Sequence, residues 1–161
     1  MKAVLKPLAA FALIGLVGGA SAGAVEVKFI EPAKFVDVRD SIRDRDDVLE
    51  QLAAHLKARA EKALPASQNL LIEIRDVDLA GDYRPWGRSV QWLRVMTVNS
   101  VPRLSLHYVL SEGDKVLRDE KVNLIDLGYF DRFNRYSDGD ALRFDKPMID
   151  DWVKSTFDPR P

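Results

Sequence analysis

Residues 101–117 read VPRLSLHYVLSEGDKVL, and we expect them to form two β-strands joined by a short polar turn. The first strand alternates large apolar residues with more polar ones, which is typical of a strand with one buried and one solvated face. The turn contains Gly113, which tolerates a positive φ, between two acidic residues that favour solvent. Such a sheet requires a covering layer on its apolar face. The residues of this face are Leu104, Leu106, Tyr108 and Leu110.

The returning strand, residues 116–125, is predicted to lie near an edge of the sheet. Val116, Val122 and Leu124 share one side of this strand. Its middle, residues 118–121, reads RDEK and is too charged to be buried on both faces. Charged side chains on an outer strand also discourage aggregation through its unpaired backbone.

The first residues predict a secretory signal peptide. Lys2 and Lys6 give a basic start, residues 8–17 form an apolar run, and small residues follow. Cleavage after Ala22 and cleavage after Ala24 both fit this pattern. The alternative, an uncleaved membrane anchor, is disfavoured because glycines dilute the run below the length that a stable span needs. We therefore expect a soluble protein that is released into a bacterial periplasm.

The remaining chain is expected to be one domain, residues 25–161, after a signal peptide at residues 1–24. The sequence contains no cysteine, which excludes a lipid-modified N-terminal cysteine and any disulfide. Loss of Lys2 and Lys6 reduces the 24 basic residues to 22, against 25 acidic ones, which gives a net charge of −3. Nucleic acid is therefore a poor partner, and no membrane span is expected after cleavage.

A long helix is predicted between residues 41 and 63. Ser41 and Asp44 have the spacing of a capping box at its start, and Pro65 stops it. Apolar residues recur along one stripe, whose width suits packing on a sheet. The stripe consists of Ile42, Leu49, Leu52, Leu56 and Ala63.

The other periodic segments complete an α+β fold. Further strands are expected at residues 25–30, 69–75 and 90–98, and a last helix at about 147–157 with Asp145 available as its N-cap. The resulting order is β-α-β-β-β-β-α. This order predicts a two-layer sandwich, with an antiparallel sheet of about four to five strands, the long helix packed on one face and a C-terminal helix.

Aromatic residues alternate with arginines in residues 126–136. Tyr129, Phe133 and Tyr136 fall on one side of a short predicted helix, where they would close the core. The alternative is that these side chains stack on a ligand ring or a base. We prefer the first interpretation.

The segment 76–87, DVDLAGDYRPWG, is the most motif-like stretch and is expected to be a loop. Asp76, Asp78 and Asp82 occupy early positions of a calcium-loop pattern, but its later positions lack the required ligands. Carboxylates together with the imidazole of His107 could instead hold a divalent ion that activates water. These four residues form the speculative site of a metal-assisted hydrolase.

The same segment offers a candidate recognition site. Tyr83, Arg84, Trp86 and Arg88 place aromatic rings beside arginine, which is a common pairing in ligand-binding loops. The alternative is that Trp86 plugs the sheet. Burial of Trp86 and Tyr83 would exclude the recognition interpretation.

Several short stretches carry a resemblance to a known family. They are VEV at 25–27, FVD at 35–37, RVM at 94–96, VPRLSLHYVL at 101–110, FDK at 144–146 and DW at 151–152. Together they resemble an uncharacterised family of small exported bacterial proteins, the domain of unknown function 3016. The resemblance covers nearly all of residues 25–161. It implies export and a single domain, and it transfers no activity, cofactor or site residue.

Two classes of function follow from the residues. The preferred class is a non-enzymatic envelope module that recognises a peptide, protein or small ligand through the open face of the sheet, a free edge or the 83–86 loop. The alternative is the metal-assisted hydrolase described above. Enzyme motifs are scarce, because the chain has only two histidines, no Gly-x-Ser-x-Gly and no phosphate-binding glycine loop. We expect no cofactor.

Overall fold

The computed structural model describes residues 23–37, 45–86 and 91–158, without the side chains of residues 86, 91 and 92. Its elements alternate between strands and helices. They are β1 (Val25–Phe29), a short 3-10 helix (Pro32–Lys34), α1 (Arg45–Ala63), β2 (Gln68–Asp78), β3 (Asp82–Trp86), β4 (Gln91–Val95), β5 (Arg103–Glu112), β6 (Lys115–Ile125) and α2 (Lys146–Phe157).

The main sheet has four strands in the order β1-β2-β5-β6, and the α+β class is confirmed. The expectation of a wholly antiparallel sheet is wrong for one pair of strands. β1 runs parallel to β2, with Val25 opposite Leu70, whereas β2, β5 and β6 are antiparallel neighbours. A parallel pair arises here because the chain leaves β1, passes through α1 and returns to β2 in the same direction.

β3 and β4 form a separate two-stranded sheet, so the sequence-based expectations for two segments are wrong. Part of the expected loop at residues 76–87 is strand β3, and the strand expected at 90–98 pairs with β3 outside the main sheet. Gly81 permits this arrangement with a φ of 84°. A Cβ at this position would lie 2.7 Å from the carbonyl oxygen of Val95, so the two backbones approach too closely for a larger residue.

One face of the main sheet carries the core, and α1 and α2 pack side by side against it. The alternating residues of β2 and β5 face the helices as predicted. From α1, Leu49, Leu52 and Leu56 are buried as expected. Ser41, Ile42 and Asp44 lie outside the described residues. The buried residues on the helix-covered face of β2 and β5 include Leu70, Ile72, Ile74, Leu104, Leu106, Tyr108 and Leu110.

The short helix expected at 129–136 is wrong, because residues 127–131 form turns and an irregular segment follows. Tyr129 is buried, whereas Phe133 is 92% exposed. The Tyr129 hydroxyl donates to the Thr97 carbonyl at 2.6 Å and accepts from the Thr97 N–H at 3.1 Å. These two bonds fix the Tyr129 ring beside the small sheet. In the irregular segment that follows, the side chain of Asn134 accepts a hydrogen bond from the Tyr136 N–H and so forms a turn.

The last helix begins at Lys146, one residue earlier than predicted, and its inward-facing apolar residues are buried. Asp145 occupies the N-cap position without making the expected side-chain cap. Its carboxylate is buried and accepts the Ala80 N–H at 2.8 Å instead. The inward residues are Ile149, Trp152 and Val153.

Candidate functional site

Strand β6 is an outer strand of the main sheet, so its predicted edge position is confirmed. Within the residues that the structure describes, no strand pairs with its outer side. The charged segment 118–121 is exposed, as is most of the strand before it. An outer strand presents a row of backbone N–H and C=O groups that can hydrogen-bond to another chain.

A groove of about 420 Å³ lies between the C-terminal half of β6 and α2. We call it the β6–α2 groove. Apolar side chains from both elements line it, and acidic and hydroxyl groups stand among them. Its volume is within the range of protein sites that enclose a small ligand or a partner's side chain. The lining residues are Asn123, Leu124, Ile125, Asp126, Met148, Asp151, Trp152 and Ser155.

The contacts between β6 and α2 differ along the strand. At the N-terminal half of β6, Arg118 donates to the Thr156 carbonyl at 3.0 Å. Tyr108 beneath it donates to Glu120 at 2.9 Å and packs edge-on against Trp152, with a ring separation of 5.6 Å. The end of β6, from Asn123 to Ile125, borders the groove, and so does Asp126 directly after it.

Arg132 connects the two sides of the β6–α2 groove. Its guanidinium donates to Asp126 at 2.7 Å and to Asp151 at 2.8 Å. The hydrogen bond that Arg132 donates to Asp126 is the main cause that raises the pKa of Arg132, followed by the one that it donates to Asp151. Both acidic residues line the groove, so the arginine neutralises part of their charge.

The residues of the predicted recognition loop lie on the small sheet, not beside β6. Tyr83 is half-buried and pairs with Arg94 across the β3–β4 ladder. Arg84 is 58% exposed, with a guanidinium nitrogen 3.4 Å from Asp82. Trp86 ends β3, but its side chain lies outside the described part of the chain, and so does Arg88. Whether Trp86 plugs the sheet therefore stays a prediction.

The three aspartates of the speculative metal site each have a separate partner. Asp76 accepts two backbone N–H groups, including that of Val36 at 3.0 Å. Asp78 pairs with Arg103 at 3.2 Å. Asp82 accepts a hydrogen bond of 2.6 Å from a serine hydroxyl. Among the described residues, no group of three histidine or acidic side chains has an arrangement that could hold a metal ion.

His107 contacts carboxylates other than those aspartates. On the open face of the sheet, its Nδ1 is 3.2 Å from Glu73 on β2 and its Nε2 is 2.7 Å from Asp119 on β6. The hydrogen bond to Asp119, followed by that to Glu73, raises the pKa of His107. The side chain thus links three neighbouring strands.

A family model described as "Protein of unknown function (DUF3016)" matches residues 23–155. The chain belongs to the DUF3016 family. No match was found among curated proteins or among solved structures. The matched region of this DUF3016 chain contains β6 and the residues that line the β6–α2 groove. No helix in the described ranges is long and apolar enough to cross a membrane.

A second polar cluster of the DUF3016 chain is centred on Asp150, in the first turns of α2. Its carboxylate is buried and lies 2.9 Å from His55 Nε2 and 2.7 Å from Arg59 Nε. Arg135 and the hydroxyl of Tyr136 also donate to it. Burial raises the pKa of Tyr136 to about 12, so its hydroxyl stays a donor at neutral pH.

No signal in the sequence identified this cluster, because His55 and Asp150 are 95 positions apart. The one available hint was that Asp150 directly follows Ile149 on the buried side of α2. The cluster fixes α1, α2 and the 129–145 segment to each other.

Proposed function

We propose that this protein is a binding module that takes up an extended polypeptide segment as an added strand along β6, with a side chain of that segment in the β6–α2 groove. The observation that carries the proposal is the position of the groove, directly beside the outer edge of β6. In strand addition, main-chain hydrogen bonds supply affinity and pockets for alternate side chains supply specificity. The chain has both parts on one surface.

The geometry of a sheet explains why a groove at this place suits an added strand. Neighbouring strands lie about 4.8 Å apart, and successive side chains point to opposite faces. A segment paired with β6 therefore directs every second side chain toward the layer that contains α2. Near Leu124 the layer is incomplete, and the cavity of about 420 Å³ can accept that side chain.

The charges on β6 make such binding selective. Arg118, Asp119, Glu120 and Lys121 are all exposed on the outer strand. Cross-strand pairs contribute roughly 0.2–1 kcal/mol each when their charges are opposite, and like charges destabilise the pairing. An apolar segment is therefore disfavoured beside the middle of β6. A segment with complementary charges there and an apolar residue near Leu124 is favoured.

The metal-assisted hydrolase receives no support from these contacts. Its aspartates bind backbone N–H groups, an arginine and a serine, and His107 binds other carboxylates. We therefore retain the binding module as the proposed function.

A tryptophan introduced at the groove tests the proposal. Ser155 is exposed on α2 and lines the groove, so Ser155→Trp fills the cavity without removing a core residue. Ala54→Trp is the matched control, because Ala54 is exposed on α1 and does not line the groove. Peptides are selected from a library of short random sequences against the unaltered protein, and their affinities are measured by titration calorimetry.

We expect Ser155→Trp to weaken peptide binding about tenfold, which is about 1.4 kcal/mol, and Ala54→Trp to leave it unchanged. Backbone NMR signals of β6 should shift on binding, because its edge gains hydrogen-bond partners. Binding that leaves the β6 signals in place, or that both variants weaken equally, contradicts strand addition.

We also propose export to the periplasm, with cleavage after Ala22 in preference to Ala24. The Ala24 carbonyl accepts the Leu70 N–H at 2.9 Å, and the Ala24 N–H donates to Asn69 at 3.2 Å. Cleavage after Ala24 would remove both bonds from the start of β1. Mass spectrometry of the protein from a periplasmic fraction tests this, and a mature chain that begins at Val25 overturns the choice of Ala22.

A further inference from the structure

A second pocket, of about 210 Å³, lies between the C-terminal ends of α1 and α2. We call it the α1–α2 pocket. It shares no lining residue with the β6–α2 groove. Half of its lining residues are positively charged, although the whole chain has a net charge of −1. The lining residues are Arg59, Lys62, Ala63, Val153, Lys154 and Asp158.

Two helices bring the three cations of this pocket together. Arg59, Lys62 and Ala63 are spaced i, i+3 and i+4, so they share one side of α1. On α2, which packs beside α1, the buried Val153 and its neighbour Lys154 line the same pocket. The positive charges therefore meet only in the folded chain, because the two helices are far apart in the sequence.

Arg59 is held in a fixed orientation at the α1–α2 pocket. Its Nε is buried and lies 2.7 Å from Oδ1 of Asp150, whose side chain is only 1% exposed. The side chain of Arg59 is nevertheless 38% exposed, so its exposed part lies away from Nε. The terminal N–H groups of a guanidinium form a fork that suits the oxygen atoms of a phosphate or a carboxylate. An arginine anchored in this way is preorganised to bind an anion.

Lys62 and Lys154 supply the other two positive charges. Both are exposed, and within the described residues neither forms an ion pair, whereas Lys57 on α1 pairs with Glu61. Cations in the last turn of a helix complement its dipole, which is an ordinary structural role for both lysines. That role does not account for the pocket between them, or for Arg59, which lies before the last turn of α1.

We propose that the α1–α2 pocket binds a small phosphate monoester through its phosphate group. Such a group carries a charge of about −1.5 to −2 at neutral pH. The three cations together with Asp158 give the lining side chains a net charge of +2, which one phosphate group compensates and one carboxylate does not. The pocket is smaller than the roughly 300–1,000 Å³ of sites that enclose a drug-sized ligand, so it holds a phosphate group and little more.

Polyphosphates and nucleic acids are poorer occupants. Asp158 places a negative charge in the lining, which repels a second phosphate group. Nucleic acids are bound by basic stripes that follow several phosphates, whereas here the exposed Glu61 directly precedes Lys62. The proposed site is also independent of strand addition at β6, because the two pockets have no lining residue in common.

Titration calorimetry with inorganic phosphate, glycerol 3-phosphate and acetate tests the proposal. The double variant Lys62→Gln with Lys154→Gln removes two of the three cations at exposed positions, so no core side chain changes. The matched control is Lys57→Gln with Lys115→Gln. It removes the same charge from two exposed lysines that do not line the pocket.

We expect glycerol 3-phosphate to bind the unaltered protein about tenfold more tightly than acetate. The pocket double variant should weaken this binding about tenfold, and the control should leave it unchanged. Backbone NMR signals of residues 59–63 and 153–158 should shift on binding, while peptide binding at β6 should be the same in the pocket double variant as in the unaltered protein.

Three results would overturn the phosphate site. One is the absence of saturable phosphate binding, with a pocket double variant that is merely less stable, because this is the result of a structural role at the helix ends. Another is equal weakening by the two double variants, which indicates general surface charge. The third is acetate that binds as tightly as glycerol 3-phosphate.

Sedimentation with phosphatidylcholine vesicles, with and without phosphatidic acid, identifies the source of the phosphate group. Sedimentation that requires phosphatidic acid, and that glycerol 3-phosphate inhibits, supports the site and assigns it to a lipid head group. Binding of glycerol 3-phosphate without sedimentation supports the site and assigns it to a free phosphate ester.

Discussion

Arg94 and Asp145 form a buried ion pair that joins the small β3–β4 sheet to the start of α2. A guanidinium nitrogen lies 3.2 Å from a carboxylate oxygen, and the two side chains are 9% and 3% exposed. Arg94 also donates to the carbonyls of Ala80 and Ala141. Burial raises the pKa of Asp145, while the positive charge of Arg94 opposes that rise. Removal of either side chain would therefore leave the charge of the other one buried without compensation.

Arg94→Met is expected to lower the free energy of unfolding by about 3 kcal/mol, because it leaves a buried carboxylate and two backbone carbonyls without their donor. Urea denaturation measures this change. The control is Arg103→Met, since Arg103 pairs with Asp78 while 55% exposed, and its loss should cost less than about 1 kcal/mol. Equal effects of the two variants would show that the Arg94 pair is no more important than a surface contact.

Asp150→Asn is expected to destabilise the protein by about 2 kcal/mol or more, whereas the neighbouring Asp151→Asn should cost less than about 1 kcal/mol. Asp150 is buried among several donors, whereas Asp151 is 61% exposed and pairs with Arg132. Thermal unfolding of the two variants at neutral pH compares them. A smaller effect at Asp150 than at Asp151 would contradict the role of the cluster in fixing α1 to α2.

The same carboxylate should contribute to acid unfolding. Burial raises the pKa of Asp150, but hydrogen bonds from His55, Tyr136 and Arg135 outweigh burial and hold the pKa well below its usual range. A depressed folded-state pKa gives stability that is present above the unfolded value of about 3.9 and is lost as the pH falls below it. Asp150→Asn should therefore show a smaller loss of stability between neutral and acidic pH than the unaltered protein.

The parts of the fold that the sequence predicts are those in which local periodicity reflects burial. Leu104, Leu106 and Tyr108 alternate because one face of β5 is covered, and the exposed charges at 118–121 fit an outer strand. These patterns determine a strand or a helix from its own residues. They also placed β6 at an edge, which is where the candidate site lies.

The parts that the sequence did not predict depend on contacts between distant residues. The residues of β1 do not indicate that it runs parallel to β2, because the path of the chain through α1 determines that direction. The spacing of Tyr129 and Phe133 suits a helix, yet bonds between Tyr129 and Thr97 hold one ring in the core while the other is exposed. The β6–α2 groove is likewise a property of packing between two elements.

Asp37→Asn is expected to stabilise the protein at neutral pH by about 1 kcal/mol. The effect is no larger because solvent screens part of the unfavourable charge of Asp37. Burial is the main cause that raises the pKa of Asp37 to about 6, and Asp78 adds to it. Its buried Oδ2 has no hydrogen-bond partner within the described part of the chain. An uncompensated carboxylate in such a place is costly when ionised.

The sign of the Asp37 effect is set by proton linkage. The Asp37 carboxyl binds a proton more tightly in the folded chain than in the unfolded chain. The free energy of unfolding therefore falls as the pH rises from about 3.9 to about 6, and it stays lower above that pH. Asp37→Asn should remove this fall, which denaturant titrations across the interval can measure. A variant that keeps the full pH dependence would exclude Asp37 as its source.

The pKa of His107 is also raised, but here the charged form of the side chain is the one that the fold favours. Its hydrogen bonds to Asp119 and Glu73 favour the protonated imidazole in the folded state. The stability that they provide is fully present below the unfolded value of about 6.5 and is lost as the pH rises through the higher folded value. His107→Gln should remove this loss, and Lys57→Gln, an exposed cation on α1, should not.

The two carboxylates can be separated by following the imidazole itself. Asp119→Asn should lower the pKa of His107 more than Glu73→Gln does, because the bond to Asp119 is the shorter one and the larger cause of the shift. An NMR titration of the ring protons measures both values. Since Asp119 is on β6, protonation of His107 strengthens the attachment of the outer strand to β5. The amide protection factors in β6, which correct for the intrinsic slowing of exchange at lower pH, should therefore rise as the pH falls toward 6.5. A pKa that neither substitution moves would show that the imidazole titrates independently of these strands.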